Sequence, residues 1–132
     1  MKLSINDLKI AIIDDSEYSR KGIISILESE GFEVVASYSS SVEAIKNYQL
    51  TGANLFLIDV VLPEVSGIEL AKVINEKSSS DVRVIMMSSL KSESIIIESI
   101  SHGAIDFIQK PFDKDTLIKC LKKAQADLEK EV

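Results

Sequence analysis

Asp14-Asp15, Asp59, Ser88-Ser89 and Lys110 each stand where an apolar run gives way to polar residues. Brought together, three carboxylates and one ammonium carry a local charge of about −2, which raises a carboxylate pKa unless a cation binds. A hard divalent ion answers that charge, and Mg²⁺ is commonly held by one or two protein carboxylates together with waters and phosphate oxygens. The lysine adds a point charge for a further phosphate oxygen, and the serine a neutral donor. A carboxylate beside a metal, with a cation and a donor opposite, can accept a phosphoryl group as an aspartyl phosphate. Other chemistries are poorly supplied. His102 is the only histidine, which removes histidine zinc cages and leaves any nucleophile–histidine pair a single possible base. Cys120 stands alone, so no intrachain disulfide forms.

These side chains need a scaffold, and 132 residues suit one domain with a sizeable core. Hydrophobic residues make up 45% and charged residues 27%, a globular balance rather than a disordered one. With 15 Lys and Arg against 21 Asp and Glu, the net charge is 15 − 21 = −6. An acidic chain without a basic run or basic–aromatic interleaving is a poor nucleic-acid binder. Its longest apolar runs, such as Ile10–Ile13 and Val84–Met87, fall far short of the ~20 residues a membrane helix needs. No export signal is legible, and a cytoplasmic location is the expectation.

Five short apolar runs recur: Lys9–Asp14, Phe32–Ser37, Asn54–Asp59, Val82–Ser88 and Ala104–Gln109. They are rich in Val, Ile and Phe and nearly continuous, as strands buried on both faces are. The segments between them read as helices. Glu17–Glu30 carries Ile23, Ile24 and Leu27 on one face and stops at Gly31. Ser40 with Glu43 forms a capping box before Val42, Ile45 and Tyr48, with Gly52 closing the segment. Ser66 with Glu69 repeats the signal before Leu70, Ala71 and Ile74. After Asp113, Leu117, Leu121, Ala124 and Leu128 make a stripe at helical spacing. Ser78-Ser79-Ser80 is a short polar loop rather than a linker. Alternating strand and helix implies right-handed crossovers and a parallel sheet covered on both faces. The expectation is a single doubly wound α/β domain over residues 1–132, its core running from about residue 8 to residue 130.

In such a sheet, ligands bind beyond the carboxyl ends of the strands, near a topological switch point. The acids, the serine and the lysine all fall at that edge. Taken in order, Ile12-Ile13-Asp14-Asp15, then Asp59-Val60-Val61-Leu62-Pro63 with Gly67, then Met86-Met87-Ser88-Ser89, then Lys110-Pro111-Phe112 resemble the receiver domain of two-component response regulators, and stand-alone chemotaxis-type receivers most in form. The resemblance covers nearly the whole chain. It implies the flavodoxin-like strand order 2-1-3-4-5, which spacing by itself does not yield. It also implies that Asp59 is the phosphoacceptor, that Asp15 binds Mg²⁺ directly and Asp14 directly or through water, and that the Val61 carbonyl completes the protein ligands. Ser88, in place of the more usual Thr, would hold a phosphoryl oxygen after transfer, and Lys110 would pair with the phosphoryl group. The Lys110–Pro111 bond would be cis. Phe107 stands where an aromatic swings inward as Ser88 moves; it lacks a tyrosine hydroxyl, and Leu62 replaces the common Met before Pro63.

Singly, each residue has a plainer role. The adjacent acids could cap the following helix, Asp59 could be a loop acid, Lys110 a solvated charge and Ser88 a strand-end hydroxyl. Pro63, Gly67 and Pro111 shape turns. His102 reads as a helix-end residue and Cys120 as a small apolar filler. Two other functional classes fit worse. A haloacid-dehalogenase-type phosphatase with Asp14 as nucleophile wants Asp-x-Asp where this chain has adjacent acids. A nucleotide or flavin domain wants a glycine-rich loop where Asp15-Ser16-Glu17-Tyr18 stands. The resemblance further implies a phosphoacceptor rather than an enzyme, beyond self-catalysed phosphotransfer and autodephosphorylation. Its partners would be a histidine kinase or phosphotransfer protein upstream and a phosphorylation-dependent target downstream, with a phosphorylation-dependent dimer as a further form. A stand-alone receiver is the expectation; the alternative is the receiver half of a larger regulator. Output is expected on the face of the fourth helix, fifth strand and fifth helix. There Ile95, Ile96 and Ile97 together span roughly 200° of a helix at ~100° per residue, wider than one buried stripe. The spacing of Ile97, Ile100 and Ala104 predicts that they face the core and that Ile95 or Ile96 is exposed.

Overall fold

The computed structural model describes residues 7–78, 81–90 and 92–131; Ser79 and Ser80 of the polar loop, and the outermost residues of the 1–132 span, lie outside them. The chain runs β1 (Lys9–Ile13), α1 (Glu17–Ser29), β2 (Glu33–Tyr38), α2 (Ser41–Asn47) and a 3-10 turn at Tyr48–Leu50. It continues through β3 (Leu55–Asp59), α3 (Gly67–Lys77), β4 (Arg83–Ser88), α4 (Glu93–Ser101), β5 (Asp106–Gln109) and α5 (Lys114–Glu131). The strands form one parallel sheet in the order β2-β1-β3-β4-β5.

Side chains alternate across the central strands and build two cores. Ala11, Ile13, Phe56, Ile58, Val84 and Met86 face α2 and α3. Ile10, Ile12, Leu55, Leu57, Ile85 and Met87 face α1 and α5. Burial on both faces is why these runs are apolar without alternation. The edge strands differ: β2 and β5 are covered incompletely, because each pairs with a neighbour on one side only.

The helix boundaries follow their caps. Ser40 Oγ accepts from Glu43 N and Ser66 Oγ from Glu69 N, each satisfying one orphan donor of its helix. Asp113 Oδ1 does the same for Thr116 N, ahead of α5. The α5 stripe of Leu117, Leu121, Ala124 and Leu128 is buried throughout. The cap of α1 is Ser16, whose Oγ accepts from Ser19 N, so the adjacent acids are left for other work.

Two helices turn a different face inward from the one their apolar residues suggest. In α2 the buried positions are Ser41, Ala44 and then Tyr48, while Ile45 is exposed. In α4, Ile97 is 61% and Ile100 46% exposed, so the expected inward stripe of Ile97, Ile100 and Ala104 is wrong for both isoleucines; only Ala104, beyond the helix, is buried. Ile95 packs against the core, Ser99 is fully buried, and Ile96 is 40% exposed. A serine can face the core here because its hydroxyl donates to the Ile95 carbonyl at 2.7 Å.

Candidate functional site

The carboxyl ends of β1, β3, β4 and the edge strand β5 converge on one polar cluster. Asp14 follows β1, Asp59 ends β3, Ser88 ends β4 and Lys110 follows β5. The backbone ties these ends together: Lys110 N donates to the Ser88 carbonyl at 2.9 Å, and Val60 N to the Met87 carbonyl at 2.8 Å. Gly67 closes the loop after Asp59 by donating its N–H to the Val60 carbonyl at 2.8 Å. A Cβ at Gly67 would lie 1.9 Å from the Asp59 carbonyl oxygen, so no other residue fits without backbone movement.

Lys110 is the hub of the cluster. Its Nζ donates to Asp14 Oδ2, to Asp59 Oδ2 at 2.9 Å and to Ser19 Oγ at 3.0 Å. The Lys110, Asp14 and Asp59 side chains are only 17%, 1% and 13% exposed, so these charges meet away from bulk water. The other oxygens are also engaged, Asp14 Oδ1 by Ser16 N at 2.9 Å and Asp59 Oδ1 by Val61 N at 3.0 Å. Burial lifts the Asp59 pKa above the ordinary carboxylate range, against the pull of Lys110 and of the Val61 N–H. Burial alone would lower the Lys110 pKa, but its bonds to Asp14 and Asp59 carry it above the ordinary lysine value.

Asp14, Asp15 and Asp59 each present one carboxylate oxygen, and the three lie within 4.8 Å of one another. This all-oxygen set, with Asp15 on the solvent side, suits a hard divalent cation that retains waters, and the cluster is a Mg²⁺ site. Asp14, Asp15, Asp59, Ser88 and Lys110 thus meet at one edge, as expected, and Lys110–Pro111 is cis. Ser88 is fully buried, with Oγ accepting from Leu90 N at 3.0 Å. Phe107 lies further off, half-buried against the core, beside a groove of about 610 Å³ that Leu90, Ile96 and Ile97 also line. His102 ends α4, as expected. Cys120 is buried and donates to Asp106 Oδ2 at 3.3 Å; burial, then the Asp106 charge, pushes its thiol up to about 12, which makes it inert filler.

Three further residues serve the site without having stood out in the sequence. Ser19 reaches Lys110, and Arg20 Nη1 donates to the Asp14 carbonyl at 2.6 Å. The buried Ser41 holds the loop after Asp59, donating to the Val65 carbonyl at 2.8 Å and accepting from Val65 N at 3.2 Å. Serines that open helices read as caps, and only the rotation of each helix about its axis shows where the hydroxyl points.

Comparison with known proteins agrees with this geometry. A family model described as the response regulator receiver domain matches residues 10–122. The chemotaxis protein CheY of Listeria monocytogenes is 36% identical over 117 residues, 89% of this chain and 98% of that protein. CheY of Bacillus subtilis is 36% identical over 115 residues, 87% of this chain and 95% of that one. Among solved structures, a CheY-like receiver domain from Methanospirillum hungatei superposes with a TM-score of 0.86 at 28% identity, covering 95% of this chain and 98% of that chain. The CheX–CheY–BeF₃–Mg²⁺ complex of Borrelia burgdorferi matches with a TM-score of 0.81 at 28% identity, covering 88% and 87%. The matched span takes in every strand end that feeds the acid–lysine cluster, and the chain belongs to the response regulator receiver family: it is a CheY-like phosphoacceptor of phosphorelay signalling, and not an enzyme that turns over a substrate.

Proposed function

We propose that Asp59 is the residue phosphorylated, by the phosphohistidine of a histidine kinase or phosphotransfer protein, and that the phosphorylated chain changes its affinity for a target protein. One observation carries the reading: a single ammonium, Lys110 Nζ, is held between Asp59 and the buried Asp14 at the sheet's carboxyl edge. An Asp59 oxygen attacks phosphorus, the bond to the donor imidazole breaks, and that imidazole leaves with its electron pair. Lys110 meets the charge on one phosphoryl oxygen. Ser88 Oγ accepts from Leu90 N, which leaves its own proton for another. Asp14, Asp15, Asp59 and the Val61 carbonyl would hold Mg²⁺, whose chemistry is to neutralise phosphoryl charge. That the Borrelia relative was solved in a complex with BeF₃ and Mg²⁺ is in keeping with a site that takes a hard divalent cation. Residues 1–132 form one receiver domain in this reading, acting in the cytoplasm.

The output face in this reading is the α4–β5–α5 side. Ile96, with Ile97 and Leu90, borders the groove beside Phe107, and the neighbouring Ile95 packs against the core. Phosphorylation turns Phe107 inward as Ser88 engages the phosphoryl group and reshapes that groove, either for a target or for a second copy of the chain. The deciding experiment is mass spectrometry after incubation with acetyl phosphate and Mg²⁺. One added phosphoryl group is expected, absent in Asp59→Asn and absent with EDTA. Persistence of the modification in Asp59→Asn overturns the assignment.

A further inference from the structure

We infer that Ser19 is a positioning residue for Lys110, and that its hydroxyl keeps the ammonium in register with the phosphoryl group; the inference rests on reading Asp59 as the phosphoacceptor. An ammonium has three protons to donate, and those of Lys110 are directed at Asp14, Asp59 and Ser19. Two of these acceptors are carboxylates whose charge is drawn off when a cation binds or when Asp59 becomes a phosphoester. Ser19 is the only neutral one of the three. Its bond therefore persists through the cycle, while the other two weaken or change partner.

The placement of Ser19 is secured independently. Its backbone N–H is capped by Ser16 Oγ at 3.1 Å, and the next residue, Arg20, bonds the Asp14 carbonyl, so the first turn of α1 is fixed to the end of β1. The hydroxyl thus projects from a rigid turn, 3.0 Å from the Lys110 ammonium. A flexible four-carbon stem held only by charges would sample more positions, and each misplacement slows a reaction that depends on positioning.

The test uses the full chain and three variants, with two readouts. In metal-free protein, the Lys110 ammonium gives a ¹⁵N–¹H signal when its protons exchange slowly. That signal is expected in the wild type and in Ser19→Thr, which keeps the hydroxyl, and is expected to broaden away in Ser19→Ala and Ser19→Val. The rate of acetyl phosphate labelling with Mg²⁺ should fall roughly tenfold in Ser19→Ala and Ser19→Val, as for loss of a hydrogen bond to a charged group, and recover in Ser19→Thr. Thermal midpoints of the four proteins separate this from a folding defect, which would lower the midpoint and the rate together. A Ser19→Ala protein with an unchanged Lys110 signal and an unchanged labelling rate overturns the inference. Failure of the wild type to become labelled at all overturns instead the assignment of Asp59.

Discussion

Asp59 must be ionised to act as a nucleophile, yet it sits where burial opposes ionisation. Its raised pKa means that the folded protein binds this proton more tightly than the unfolded chain does. The resulting stabilisation is complete below the unfolded value of about 3.9 and is lost as pH rises through the higher folded value. At neutral pH the ionised carboxylate therefore costs stability, and Asp59→Asn removes that cost. In EDTA, Asp59→Asn is expected to unfold at a higher urea concentration than the wild type at pH 7, with the gain shrinking as pH falls towards about 3.9. A variant less stable than the wild type at pH 7 would mean that pairing with Lys110 outweighs burial. Lys110 is shifted upwards too, so its contribution is full below the ordinary lysine value and is lost only as pH rises through its folded pKa.

Among the elements, α4 is the least committed to the core. It fully buries only Ser99, whereas α3 buries Gly67, Ile68, Leu70, Ala71 and Ile74. At nine residues it is also shorter than the ~12–15 at which an isolated helix becomes even marginal in water. Its capping serine, Ser92, follows closely on Ser88, and its outer face carries Ile96, Ile97 and Ile100. A loosely docked helix beside the site is a suitable carrier of a signal, because little packing has to break when it moves. The exposure pattern separates two neighbouring isoleucines. Ile97→Glu is expected to change unfolding free energy by no more than about 0.5 kcal/mol. Ile95→Glu, which sets a charge against the core, should cost about 1–3 kcal/mol. Urea denaturation of both variants checks this, and equal losses would mean that α4 is rotated from the position described. Ile97→Glu should also lose phosphorylation-dependent capture of a target while still being labelled on Asp59.

For the whole molecule, the metal site is a clamp across the sheet. Its three carboxylates come from residues 14, 15 and 59, just past the end of β1 and at the end of the adjacent β3. An ion that binds the folded chain and not the unfolded one stabilises it by about 2.7 kcal/mol at 100 times its dissociation constant. Mg²⁺ should therefore raise the thermal midpoint by several degrees in a domain of this size. Asp15→Asn should abolish most of that rise and leave the metal-free midpoint near the wild-type value, since Asp15 is exposed. Differential scanning calorimetry with and without Mg²⁺ makes the comparison, and a full Mg²⁺ response in Asp15→Asn would remove Asp15 from the ligand set.

The amino-acid order alone determined which segments become strands, because a strand buried on both faces must be apolar at nearly every position. It also determined the helix starts at Ser40 and Ser66 and the inward stripe of α5, where apolar residues recur at an unambiguous spacing. The chemical residues were legible because each stands where an apolar run ends, and all such ends lie on one edge of a parallel sheet. Where apolar residues are consecutive, as in Ile95-Ile96-Ile97, periodicity cannot choose a face, and docking on the sheet chose Ile95 and Ser99. A buried serine is invisible to hydropathy, because what permits it is a hydrogen bond to the preceding turn. The edge strands fell short of full burial because a strand's number of neighbours belongs to the assembled sheet and not to the strand. Ser19 is the limiting case. As a residue it is one more helix-opening hydroxyl, and its bond to an ammonium 91 positions away exists only because the folded sheet sets the ends of β1 and β5 at one edge, where α1 turns its first helical turn towards both.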